Sequence, residues 1–410
     1  MNEKKLQQYA ELLVKQGIRV LKGEEVWVYA SVQNHEFATL VVEECYKAGA
    51  KKVVVDWSCE GTDRLAYKHM KLADLGKVAP YTIAKWKYAS KKFPSKLYID
   101  DEDPDLMKGI NPQKIAKANM KAFPKIKPYR EAMDGRYKWC IAAVPGEKWA
   151  KKIFPKCSTE EAIEKLWEAI FYTCRVEESG TNENWDKHNA YLLEKRNWLT
   201  NLNLKYLEYK SKNGTDFKVE LIKGCAWGAG LEKTDTGKEF NPNMPTEEVF
   251  TSPLAGTGEG LLVATKPLSF QGQLIEGFSI RFENGKAVEV KAKKNQEVLE
   301  HMIKMDEGAC QLGECALVPY TSPINQSGIL FYNTLFDENA VCHIALGIGF
   351  KELLPNGASM STEEATKMGI NNSMIHVDFM IGTDDLSVVG IDENGKRIQL
   401  FKDGVWAIWE

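Results

Sequence analysis

The chain contains six histidines, at positions 35, 69, 188, 301, 343 and 376, and two of them stand in short apolar runs close to acidic residues. His376 lies in MIHVDFMIG. Residues i and i+2 of a strand share a face, so His376 and Asp378 project together while Val377 and Phe379 project the other way. An imidazole and a carboxylate on one face form half of a divalent metal site. The same pair also serves simply to orient a ring by a hydrogen bond. His343 lies in VCHIALGIGF, downstream of Asp337 and Glu338; taken alone, a histidine on an apolar strand is more often a satisfied core residue than a ligand. Glu314 interrupts the apolar run QLGECALVPY, where a buried carboxylate must be paired, protonated or metal-bound. Glu247 and Glu248, in NPNMPTEEVFTSP, precede Val249 and Phe250, a pattern that also suits an ordinary helix or strand start.

Taken together, these four stretches bring two histidines and several carboxylates into one half of the chain. That donor set suits two divalent ions about 3.5–4 Å apart, which activate a shared water at neutral pH. A single ion held by two histidines and one carboxylate is the alternative, and suits non-heme iron and dioxygen. Cys342 beside His343, and Cys315 beside Glu314, point to opposite faces of their strands, which disfavours a Cys–His nucleophile. Gly256–Gly260 contains G-x-G, but no strand-then-helix context surrounds it, so a nucleotide site is not expected.

The elements that must position these residues fall into two halves. In the first, Leu6, Ala10, Leu13 and Val14 mark one face of a helix. Short apolar strands follow at Val26–Ala30, Lys51–Trp57 and Lys138–Val144, with helices expected at 35–48 and 63–75. The Lys-rich stretch 100–136 reads as helices outside the sheet, and Lys85–Lys96 as a solvated basic face. Strands separated by helices imply an α/β domain with a mainly parallel sheet. After about Thr200 the pattern becomes strand–turn–strand, around Asn213-Gly214, Asn284-Gly285, Asn394-Gly395 and Asp403-Gly404, the last pair within KDGVWAIW. Only 295–305 reads as a long helix there. The second half is therefore mainly antiparallel β (α+β). The domains are expected at 1–190 and 191–410.

Composition narrows the function classes. The 410 residues carry 54 Lys+Arg against 57 Asp+Glu, a net charge of −3, which speaks against a dedicated nucleic-acid binder. No apolar run approaches the roughly 18 residues of a membrane span. The amphipathic N-terminus lacks the apolar core of a secretion signal. Nine dispersed cysteines with no C-x-x-C pair fit a reducing compartment, so a cytoplasmic protein is expected.

NMPTEEVFTSP, LGECALVP, FDENAVCHIALG and HVDFMIG together resemble the aminopeptidase T / aminopeptidase S / PepS family of metallo-aminopeptidases. The opening LQQYAELLVKQGIRVLKGE and the inner WCIAAVPGEKWAKKIFP are similar to that family too, so the likeness covers essentially the whole chain. It implies an N-terminal α/β domain, a mainly β C-terminal domain carrying two divalent ions (Zn, Co or Mn), short peptide substrates and a homodimer. By position in the motifs, the resemblance makes Glu248, Glu314, His343, His376 and Asp378 the metal ligands, with Glu338 a further ligand or neighbour of the ions. Glu248 or Glu338 would shuttle the proton. The family pattern places a catalytic tyrosine seven residues beyond the histidine of H-x-A-L-G; here that position is Phe350. A phenylalanine lacks the hydroxyl that would steady a developing oxyanion, so a catalytically weak metal-binding homologue is a further alternative.

Overall fold

A computed structural model describes residues 2–101, 103–270 and 273–407. Contacts divide the chain into two compact units, Met1–Lys187 with Leu231–Pro245, and His188–Gly230 with Thr246–Glu410.

The first unit is built on a five-stranded, all-parallel sheet in the order Asn243–Met244, Trp139–Ala143, Ser95–Asp100, Glu25–Ser31, Lys52–Ser58. Val26, Val28, Leu97, Cys140 and Ala142 are fully buried in it, as expected of a sheet covered on both faces. Helices Glu3–Leu12, His35–Lys47, Pro80–Lys92 and Pro112–Glu131 connect these strands or precede them.

Three of these strands and the helix at 35–47 follow the sequence periodicity. Ser95–Asp100 does not, because the run after Pro94 is short and begins with the polar pair Ser95 and Lys96. The strand makes Lys96 a buried residue, 2% exposed, with its ammonium 4.9 Å from the Trp86 ring and 4.6 Å from that of Tyr137. The expected solvated basic face therefore holds for the Pro80–Lys92 helix but not for Lys96. The helix expected at 63–75 is two, Glu60–His69 and Leu72–Leu75. Sequence gives no sign that Leu231–Pro245 returns to the first unit, since its pairing with Trp139–Ala143 is only two residues long.

Besides the two-strand pair Leu268–Phe270 and Gln273–Ile275, the second unit contains two larger antiparallel sheets. The larger has eight strands, ordered Lys286–Lys291, Ser279–Glu283, Glu259–Val263, Asp216–Glu220, Leu204–Lys210, Ser387–Asp392, Arg397–Lys402, Val405–Trp406. All four expected turns join neighbouring strands of this sheet. Asn284-Gly285 and Asp403-Gly404 both take positive φ, the requirement of a two-residue hairpin that follows the strand twist. Ile408 and Trp409, expected to extend the last hairpin, lie outside the described residues. The long helix expected at 295–305 is shorter, Gln296–Met302.

The smaller sheet carries the acidic and histidine motifs. Its order is His376–Met380, His343–Gly347, Leu312–Leu317, Val249–Thr251, Gly228–Ala229. One side contributes Ile344, Leu346, Cys315, Leu317 and Phe379 to a core shared with Leu207, Phe217, Val219 and Phe278 of the larger sheet and its flanks. Cys315 and Cys342 both belong to that core, as the strand alternation requires. Among the described residues no helix is long and apolar enough to cross a membrane, and all nine cysteines are free thiols.

Candidate metal centre

With the apolar alternates turned into the core, the other face of the small sheet presents Glu314, His343, His376 and Asp378. Register makes the site. Glu314 is opposite Ala345, and Ala345 opposite Asp378, so a methyl group separates two carboxylates in one row across three strands. His343 pairs with Ala316 and with Met380, and His376 pairs with Gly347. Small residues in the central strand leave room between the acidic and imidazole groups. Gly347 has φ +107°, and a Cβ there would meet the Ile375 carbonyl oxygen at 2.0 Å, so a side chain is excluded. Glu248 enters from the segment just before Val249–Thr251, whose Phe250 pairs with Ala316.

The contacts form two groups with a common member. His343 Nε2 is 3.2 Å from Glu248 Oε2. His376 Nε2 is 3.1 Å from Glu314 Oε2 and 3.3 Å from Asp378 Oδ1. Donor atoms of Glu248, Glu314 and His343 all lie within 4.8 Å of one another, and so do those of Glu314, His376 and Asp378. Each ring is oriented from behind: Nδ1 of His376 faces the Ile348 carbonyl at 2.7 Å, and Nδ1 of His343 faces that of Val341 at 3.3 Å. An Nδ1–H donated to a carbonyl leaves the Nε2 lone pair for a ligand.

Electrostatics describe a crowded anionic centre. Burial raises the Glu314 carboxyl, against the His376 hydrogen bond, and the charges of Asp378 and Glu248 raise it further. Burial, then Asp378 and Glu248, lift Glu338 well above the ordinary range. Burial alone would pull both imidazoles down. The Glu248 contact carries His343 up to about 10, and Asp378 with Glu314 carries His376 well up. Asp378 goes the other way: burial would raise it, but His376 and then His343 hold it down.

The donor set fits divalent ions. Four carboxylates gather around two imidazoles, and the buried Oδ1 of Asp378 makes no aligned hydrogen bond despite its nearness to His376. Bound cations would reverse the burial effect by holding all four carboxylates ionised.

Glu338 follows the short helix Thr334–Asp337, and its Oε1 is 3.4 Å from Nδ2 of Asn339. It lines a pocket with Asp378. The Phe350 ring lies 5.0 Å from the His376 ring and 5.1 Å from the Phe250 ring, and its backbone N–H donates to Ser252 Oγ at 2.8 Å. All seven residues singled out from the sequence are thus placed: Glu248, Glu314, His343, His376 and Asp378 in the two donor groups, Glu338 and Phe350 beside them.

Sequence reasoning missed the supports. Asn339, wholly buried, accepts the Glu247 backbone N–H through Oδ1 at 2.7 Å. Glu247 itself lies with its Oε1 3.9 Å from His188 Nε2, and that nitrogen is 2.7 Å from the Thr246 carbonyl. Asp337 accepts the backbone N–H groups of Phe331 and Asn333 at 2.8 and 3.1 Å. An asparagine next to the FDEN acids was the only visible signal, and nothing in the sequence gave its partner 92 residues away.

A covered parallel sheet, followed by a β unit whose smaller sheet carries two carboxylate–imidazole groups, defines a metal-binding α/β plus antiparallel β protein. The profile of the peptidase M29 family, described as thermophilic metalloprotease (M29), matches residues 2–406. Aminopeptidase 2 of Geobacillus stearothermophilus is 39% identical over 99% of this chain and 98% of its own length. The structure of wild-type AmpT from Thermus thermophilus superposes with a TM-score of 0.91 at 36% identity, covering 99% of this chain and 100% of that one. A 2,5-dihydroxypyridine dioxygenase from Pseudomonas putida KT2440 shares the fold alone, with a TM-score of 0.52 and 13% identity over 100% of this chain and 99% of that one. The chain belongs to the peptidase M29 family, and the protein is a metallopeptidase.

Proposed function

We infer that this metallo-aminopeptidase removes the N-terminal residue from short peptides with two divalent ions. One observation carries the reading: Glu314 belongs to both donor groups. A carboxylate common to two groups suits a pair of ions, whereas a single-ion centre would leave one His–carboxylate pair unused. Glu248, Glu314 and His343 would hold one ion, and Glu314, His376 and Asp378 the other. Zn²⁺, Co²⁺ and Mn²⁺ all suit nitrogen and carboxylate donors of this kind. When bound, such ions lower the pKa of a water and polarise the peptide carbonyl.

The chain's own groups do the rest. Glu248 or Glu338, whichever keeps a free oxygen, takes the proton from the attacking water and delivers it to the leaving amine. The surplus of carboxylates attracts the substrate's free α-ammonium group, which favours cleavage at the N-terminus. The free thiols support a reducing, cytoplasmic setting, and the family likeness supports a homodimer.

The test is release of N-terminal residues from unblocked and N-acetylated peptides by protein loaded separately with Zn²⁺, Co²⁺ or Mn²⁺, with His376→Ala as control. Metal-dependent release from unblocked peptides only, lost in the variant, is expected. No release with any of the metals contradicts the reading.

A further inference from the structure

Glu248 is presented by residues 245–248, which belong to no strand; ladder pairing resumes only at Val249, opposite Leu317. What holds this stretch is the peptide group between Thr246 and Glu247, because both of its polar atoms have side-chain partners. The Thr246 carbonyl lies 2.7 Å from Nε2 of His188, and the Glu247 N–H donates to Oδ1 of Asn339 at 2.7 Å. A carbonyl oxygen only accepts, so Nε2 of His188 carries the hydrogen. The two partners come from distant parts of the sequence: His188 from the long helix Thr181–Asn201, and Asn339 from the turn Glu338–Ala340. His188, Thr246, Glu247 and Asn339 are all buried. A peptide plane gripped at both edges cannot turn, and the residue that follows it takes a fixed course. That residue is Glu248, whose Oε2 is 3.2 Å from His343 Nε2.

The contacts also run in one direction. The His188 N–H points at the Thr246 carbonyl, the Glu247 N–H of the same peptide at the Asn339 side-chain carbonyl, and Nδ2 of Asn339 donates to Glu338 Oε1 at 3.4 Å. Amides aligned in this way polarise one another. One line of hydrogen bonds thus passes the root of Glu248 and ends at the Glu338 carboxylate.

We propose that His188 is a positioning residue for the candidate metal centre, acting through the Thr246–Glu247 peptide on the ion that Glu248 holds. The proposal rests on the two-ion reading and adds a residue that stands outside both donor groups. Its effect is confined to one ion. The other is held by Glu314, His376 and Asp378, which strand register positions without His188.

The experiment titrates the full-length, metal-free protein with Co²⁺ and follows the affinity and visible absorption of each ion. His188→Phe keeps a ring and removes the donor; His188→Leu removes it with a smaller side chain; His188→Gln returns an N–H at the place of Nε2. In both donor-free variants one ion is expected to bind about 10–100-fold more weakly, with its absorption shifted, as follows the loss of a group that orients ligands. The other ion keeps its wild-type affinity, and His188→Gln recovers most of the loss. In a double variant with Asn339→Ala, His188→Phe adds little, because both side chains grip one peptide. Equal weakening of both ions alongside a lower melting temperature assigns His188 to general support of the fold and overturns the proposal. So do unchanged Co²⁺ binding in the donor-free variants, a His188→Gln variant that recovers nothing, and fully additive effects in the double variant. A wild type that binds a single Co²⁺ per chain overturns the two-ion reading itself, and the proposal with it.

Discussion

Oδ1 of Asn339 accepts the backbone N–H of Glu247 at 2.7 Å, while its Nδ2 donates to the Leu335 carbonyl at 3.2 Å and to Glu338 Oε1 at 3.4 Å. One wholly buried amide thereby ties the segment that presents Glu248 to the segment that presents Glu338. The two glutamates are far apart in sequence, and neither sits inside a strand, so the amide supplies the positioning that the ladder supplies for Glu314, His343, His376 and Asp378.

Replacing Asn339 with alanine removes the buried acceptor of the Glu247 N–H, and losing a buried hydrogen-bond partner costs about 1–3 kcal/mol. Loss of a group that orients ligands typically weakens metal binding about 10–100-fold. Denaturant unfolding and competition with a metal indicator measure the two effects. Asn339→Asp restores the acceptor for Glu247 but not the donor to Glu338, so it should recover stability more fully than metal affinity. Equal recovery of both, or an alanine variant with unaltered metal binding, contradicts the positioning role.

Phe350 offers a gain-of-function test. Its ring packs edge-on against Phe250 and lies near His376, at the position where the family likeness expects a phenol. One hydrogen-bond donor to a developing oxyanion is worth about 10²–10³ in rate. Phe350→Tyr should raise kcat by about tenfold or more without changing metal content. A tyrosine variant with unchanged kcat would mean that another donor already serves.

Lys96 gives a pH signature remote from the site chemistry. Burial, reinforced by Arg130 and Lys85, lowers its ammonium from 10.5 to about 8. Between about 8 and 10.5 the unfolded chain binds a proton that the folded chain has released, so folding stability rises with pH across this window. Lys96→Met removes the effect. The melting temperature of the wild type should climb relative to that of Lys96→Met from pH 8 to pH 10, and the difference should be flat below pH 7. A difference that falls as pH rises contradicts the assignment of a depressed lysine.

Much of the site was legible because strand alternation is a strict code. His376-x-Asp378, and the opposite facing of Cys315 and Cys342, follow from a period of two, and the turn dipeptides at 284–285 and 403–404 state their own geometry. The three-strand row of Glu314, Ala345 and Asp378 was not legible, because register between distant strands depends on pairings that no local pattern records. Neither was Asn339, whose role lies in one contact across the chain. Ser95–Asp100 escaped because Lys96 reads as polar, although aromatic rings bury it. The paired donor groups are the clearest case of the limit: the motifs supplied the residue types, and only the fold puts Glu314 in both groups.

The most direct test of the two-ion account is the number of metal ions per chain after loading with Zn²⁺, Co²⁺ or Mn²⁺ and exhaustive dialysis, for the wild type and for Glu314→Gln. The account predicts two ions per wild-type chain, and at most one in the variant together with at least a hundredfold loss of peptide cleavage. A single ion per wild-type chain, above all a single iron accompanied by oxygen uptake, would contradict it.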